Sequence, residues 1–253
     1  VANTRADQRL QKRLKKKQAK EQQRLKREQR LLYQPNVEPK PREHQAPLQA
    51  KTEGQLKLIR AIKSSPQVVV SGPAGTGKSY IPAVLAADWL RDGIVKKIVL
   101  CRPMVSVGRS MGFLPGDQLE KTMPWMIPLI EPLNARLGKS YVEHAIKTGK
   151  IEVAPLETMR GRTFKDAFVI LDEAQNCDIE ELKMLVTRIG EETRLVIDGD
   201  IAQADRTDSG LSQLIRIAEK YDIGCEPVEL SLDDVVRSGI TKQWLIAFHK
   251  ENL

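Results

Sequence analysis

Residues 68–79 read VVVSGPAGTGKS, and the architecture follows from how that run is taken. A β-branched stretch enters a glycine-rich turn ending in Gly-Lys-Ser, and the helical pattern IPAVLAADWL (81–90) lies directly beyond. Residues 72–79 fit G-x-x-x-x-G-K-[ST] at every fixed position, and strand, turn and helix in this order is the setting of a phosphate-cradling loop. Gly72, Gly75 and Gly77 allow backbone N–H groups to turn inward, with Pro73, Ala74 and Thr76 completing the cradle. Lys78 reaches the outer phosphates and Ser79 ligates magnesium, so ATP and Mg2+ are the expected cofactors. A chance glycine turn explains neither flank. Pro82 has no amide to give the Lys78 carbonyl, which predicts a disturbed first helical turn.

Moving outward, KIVLC (97–101), IEVA (151–154), FVILDE (168–173), RLVIDGD (194–200) and EPVEL (226–230) read with VVVSG as strands. Most are near-continuous apolar runs, as in a parallel sheet covered on both faces. ELKMLVTRI, LSQLIRIAEK and TKQWLIAFHK carry helical spacing between and after them. The expected class is a three-layer α/β P-loop NTPase fold, RecA-like, with a mostly parallel sheet.

A phosphate loop needs a second carboxylate for magnesium. FVILDE supplies it, with Asp172 at the strand tip for the metal and Glu173 to orient the attacking water. Asp200 and Gln203, in GDIAQAD (199–205), follow the next strand and are candidates for sensing the γ-phosphate. A plain Gly-Asp turn is the alternative.

Charge and composition locate the rest. The chain has 253 residues, 41% hydrophobic and 29% charged, within the range of soluble proteins. Residues 1–30 hold twelve Lys or Arg against three acids, a net +9 within a total of +8, so residues 31–253 sum to −1. The basic excess is therefore an arm, helical or disordered. Residues 33–47, with four prolines, form a linker, and the ATPase domain is expected over 48–253. Cys101, Cys177 and Cys225 are widely spaced, which argues against a disulfide framework or zinc site and for a reducing cytoplasm. No apolar run has membrane-spanning length, and no export signal is read at the N-terminus.

EGQLKLIRAI, GPAGTGKS, CRPMVSVGRSMGFLPGD, MRGRTFKDAFVILDEAQN, GDIAQADRTDSGL and DDVVRSG stand in the order found in PhoH-like proteins. The chain resembles that family, ATPases similar to the motor core of superfamily-one helicases, over about residues 52–250. The resemblance implies that Gln55 reads the adenine edge; its alternative is a polar residue on an amphipathic helix. It implies that Arg237 lies near the γ-phosphate; its alternative is a surface arginine. Ser238 and Gly239 replace the family's His-Pro, and Arg109 stands where an acid is expected, so the chain departs from the pattern at both places.

In a motor of this kind Arg102, Arg160 and Arg162 would bear on a nucleic-acid strand, although the RGRT segment could instead serve exchange between subunits. The expected function is ATP hydrolysis coupled to single-stranded RNA or DNA, as in a helicase. An ATP-driven switch acting on a protein partner is the main alternative. A small-molecule kinase is disfavoured because no lid or acceptor signature is seen. One motor domain without a second implies self-association, expected as a hexameric ring with Arg237 reaching a neighbour's site.

Overall fold

The computed structural model describes residues 38–43, 45–103, 123–203 and 209–250, with 249 and 250 described by backbone alone. The basic arm and the GFLPGD segment (112–117) with Arg109 lie outside the described residues. The chain divides after Pro39 into two units, and every strand and helix named below belongs to the one that begins at Lys40.

Among the described residues six strands form one sheet: β1 (Gln67–Ser71), β2 (Lys97–Arg102), β3 (Ile151–Pro155), β4 (Ala167–Leu171), β5 (Arg194–Gly199) and β6 (Cys225–Glu229). All pairings are parallel, in the order β3-β2-β4-β5-β1-β6. The six runs read as strands are these six, and the α/β class stands. Alternate residues of each inner strand face opposite layers. Val68, Val70, Ile98, Leu100, Phe168, Ile170 and Val196 enter one core, while Val69, Val99, Val169, Leu171, Leu195 and Ile197 enter the other. Burial on both faces is why the sequence shows apolar runs and not alternation.

The first core is covered by α1 (Glu53–Ser64), α2 (Tyr80–Arg91), α3 (Ile127–Leu137) and α4 (Lys139–Lys147); the second by α5 (Ile179–Val186) and α6 (Gly210–Tyr221). A further helix, α7 (Gly239–Lys250), follows β6. Sequence periodicity did not reveal α3, because Pro128 and Pro132 fall inside it. It buries Leu129, Leu133 and Leu137, and Arg136 Nη2 pairs with Asp88 Oδ2 of α2 at 2.5 Å. Within the stretch expected as linker, the Arg42 amide donates to the Leu137 carbonyl at 3.1 Å, and Arg136 Nη1 donates to that of Ala46 at 2.7 Å.

The strand order sets the site. With β5 between β1 and β4, the three C-terminal tips lie side by side, bringing the loop after β1, Asp172 after β4 and Asp200 after β5 to one edge. Ligands of open α/β sheets gather at this carboxyl edge.

Candidate nucleotide site

The glycine-rich turn folds back on itself around the Pro73 carbonyl. Thr76 Oγ1 donates to it at 2.9 Å and Lys78 Nζ at 3.4 Å, a long contact that leaves the ammonium free to turn to a phosphate. Gly75 has φ +83°, a conformation that disfavours any side chain, and a Cβ there would stand 2.6 Å from Arg237 Cγ. Gly72 donates its amide to the Gly199 carbonyl at 3.2 Å, fixing the loop to the tip of β5. Beyond the loop, Ile81 bonds to Gly77 and Ala83 to Ser79, and only the Pro82 link to Lys78 is missing. The disturbance is thus one absent bond: helix α2 is assigned from Tyr80 and runs on unbroken.

Ser79 is where strands β1, β4 and β5 converge. Its hydroxyl lies 3.0 Å from Asp172 Oδ1 and 2.9 Å from Asp198 Oδ1. Both acids are buried, and Asp198 Oδ2 finds no hydrogen-bond partner among the described residues. Burial, with the neighbouring Asp172 adding to it, pushes the Asp198 carboxyl well above the usual carboxylate range. A hydroxyl and two hard oxygen acids, one with an orphaned oxygen, suit magnesium. Ser79 and Asp172 would hold the ion.

Glu173 sits at φ 57°, left-handed for a residue with a side chain, and the turn aims it across the β4 tip. Both its oxygens are engaged: Arg102 Nη2 donates to Oε1 at 2.6 Å and Gln175 Nε2 to Oε2 at 2.5 Å. Gln175 Oε1 in turn accepts the Asp200 amide at 3.0 Å, joining the tips of β4 and β5. Asp200 is itself buried, which raises its pKa against the opposing charge of Lys78. Gln203 lies one 3-10 turn beyond, exposed, on a cavity of about 1040 Å3 that also borders Gly72, Pro73 and Ala74.

Gln55 and Arg237 lie on the loop's other flank. Gln55 is buried and its amide serves the protein: Nε2 donates to the Thr76 carbonyl at 2.8 Å, and Oε1 accepts the Lys51 amide at 2.9 Å. It braces the phosphate loop while lining a cavity of about 580 Å3 with Lys78, Tyr80, Pro128 and Arg237. Arg237 lies over the loop of its own chain, and Val236 donates its amide to the Gly75 carbonyl at 3.1 Å. That position rests on Asp234, unnoticed in the sequence. It accepts from Thr52 Oγ1 (2.5 Å), the Gly54 amide (3.1 Å) and the Ser231 amide (2.8 Å), tying the DDVVR segment to the start of α1. Burial alone would raise its pKa, but these donors hold it below the ordinary value.

Of the three arginines assigned to nucleic acid, Arg102 points into the site: besides Glu173 it donates to the Trp125 carbonyl at 2.5 Å and lies 3.8 Å from Asp172 Oδ2. Arg162 forks onto Glu152 at 2.5 and 2.8 Å, with its guanidinium 5.1 Å from the Phe164 ring centroid. This contact, helped by Lys97, holds Glu152 at about 2. Arg160 alone of the three is exposed. Cys101, Cys177 and Cys225 form no disulfide.

Residues 47–249 match the family described as PhoH-like protein. The chain belongs to the PhoH-like family. It is 42% identical to the PhoH-like protein of Bacillus subtilis over 208 residues, covering 81% of this chain and 65% of that one. With Protein PhoH of Escherichia coli the identity is 39% over 209 residues, covering 80% and 58%. The chain thus spans roughly three-fifths of the length of these relatives. Among solved structures it is similar to the large terminase of a thermophilic bacteriophage, at 13% identity and a TM-score of 0.48, covering 78% of this chain and 50% of that one.

Proposed function

We propose that this PhoH-like chain binds Mg2+–ATP at the loop of residues 72–79 and hydrolyses it, coupling hydrolysis to single-stranded RNA or DNA. The observation that carries the hydrolytic half is the convergence of Ser79, Asp172 and Glu173 at adjoining strand tips beside Lys78. Magnesium, when bound, neutralises charge between the outer phosphates. The chain's own groups do the rest. Lys78 turns from the Pro73 carbonyl to the phosphates, and Arg237 offsets charge as it develops. Glu173 orients the water once Arg102 or Gln175 yields one of its oxygens. In Glu173→Gln, hydrolysis is expected to fall by about a hundredfold or more, while ATP binding stays within about threefold, because only the water-orienting carboxylate is lost. Nucleotide titration beside a phosphate-release assay checks this, and unchanged hydrolysis would remove Glu173 from the mechanism.

For the coupled substrate, the support is exposed Arg160 beside the β3 edge, the basic arm, and Arg102 placed where a backbone phosphate could compete for it with Glu173. Steady-state hydrolysis measured with single-stranded RNA, single-stranded DNA and neither is the test. Stimulation of at least about fivefold that fades with added salt is the expected outcome. Equal rates in all three would favour the second reading, a switch acting on a protein. That reading has its own observation: α7 exposes Ile240, Trp244 and Phe248 at helical spacing, the last two stacked at 5.5 Å. We place the active form in a homo-oligomer, as a hexameric ring, in the cytoplasm. No helix among the described residues is long and apolar enough to cross a membrane.

A further inference from the structure

Asp198 is a buried acid at the nucleotide site for which the hydrolytic steps have no use. It lies on β5 opposite Val70 of β1, fully buried, with Oδ1 on the Ser79 hydroxyl and Oδ2 without a partner among the described residues. A structural carboxylate looks otherwise: Asp234, in the same domain, has both oxygens taken by donors from Thr52, Gly54 and Ser231. Asp198 instead meets its acid neighbour Asp172 and the Ser79 hydroxyl, the two groups that would surround the cation.

The Ser79 hydroxyl supplies the rest. It has one proton and two lone pairs, and two acceptors stand within reach, Asp172 at 3.0 Å and Asp198 at 2.9 Å. It can donate to only one of them at a time. If the proton points at Asp172, it lies between the two groups that would share a cation. If it points at Asp198, a lone pair of Ser79 is left facing the same side as the Asp172 carboxyl group. Only the second arrangement offers the ion two oxygen ligands.

We propose that Asp198 is a positioning residue for the divalent cation of the bound nucleotide: its Oδ1 accepts the hydrogen bond of the Ser79 hydroxyl and so turns a Ser79 lone pair toward the metal. This rests on residues 72–79 being the nucleotide site. Asp198 acts through Ser79 and need not touch the ion, consistent with the absence of a cluster of three metal-binding side chains among the described residues. Outer partners of this kind change metal affinity by about 10–100-fold when removed.

The test compares Asp198→Leu, which abolishes the acceptor in a similar volume, with Asp198→Asn, which keeps an oxygen of the same reach. Replacing a buried charge by an apolar group of like size is often tolerated by the fold. Asp198→Ala reads the same quantity should the Leu variant not fold. ADP affinity is measured first in chelator, and Mn2+ is then titrated into the ADP-bound protein and followed by electron paramagnetic resonance. In Asp198→Leu the Mn2+ dissociation constant is expected to rise about 10–100-fold, with metal-free ADP affinity held within about twofold. Asp198→Asn should stay within about threefold of the parent for both.

Mn2+ affinity in the Leu or Ala variant equal to that of the parent would overturn the proposal. So would a joint fall in metal-free ADP and Mn2+ affinity, the mark of a structural role, or an Asn variant as weak as Leu. A parent chain that binds no ADP, with or without Mn2+, would overturn the site reading itself and this inference with it.

Discussion

Lys78→Ala is expected to reduce ATP hydrolysis by at least about 10²–10³-fold, the scale of losing one preorganised group that meets developing charge. The structure makes this a clean experiment, because the ammonium contributes little to the fold. Its hydrogen bond is the 3.4 Å contact to the Pro73 carbonyl, and that carbonyl keeps a second donor in Thr76 Oγ1 at 2.9 Å. The loop is held independently by Gln55 on the Thr76 carbonyl and by the Gly72 amide on Gly199. Thermal unfolding of the variant should therefore match the parent within a few degrees while nucleotide affinity and turnover both fall. Turnover at the parent rate would mean that residues 72–79 are not the phosphate site.

How much of this could be read from the letters depends on whether the information was local. Strands β1, β2, β4 and β5 are buried on both faces, so each announces itself as an apolar run. The motif residues at their tips follow from chain order alone. Helix α3 could not be read, since two prolines mask a pattern that tertiary packing on α2 stabilises all the same. Asp198 left a signal that went unused: it is two residues from Val196, so strand parity places it on the inward face beneath the phosphate loop. The long-range partners of Gln55, Arg102 and Asp234 left none. Each bonds across 21 to 182 residues of chain, and such distances are set by the sheet order. In this structure the amide of Gln55 braces the loop, a role that a motif comparison does not distinguish from base contact.

Arg237→Ala is the second substitution with a large expected effect, a loss of about a thousandfold in turnover if the guanidinium serves as an arginine finger. Nucleotide affinity should change much less than in Lys78→Ala, because the group counters charge that grows during transfer and is smaller in the bound ground state. The sequence led us to expect that this arginine reaches a neighbouring subunit. In this structure it lies over the loop of its own chain: its Cγ lies where a side chain on Gly75 would have to go, and Val236 is bonded to the Gly75 carbonyl at 3.1 Å. Asp234, three residues earlier, is fixed to Thr52 and Gly54 at the start of the helix that carries Gln55, so the segment has little freedom to swing outward. Mixing Arg237→Ala with Lys78→Ala subunits separates the two arrangements. A finger acting within its own chain leaves each subunit with one defect, and mixed assemblies stay as inactive as the parents of the mixture. Recovery of turnover after demonstrated subunit exchange would show that Arg237 completes a neighbour's site, and the contact with Gly75 would then describe a state it leaves on assembly.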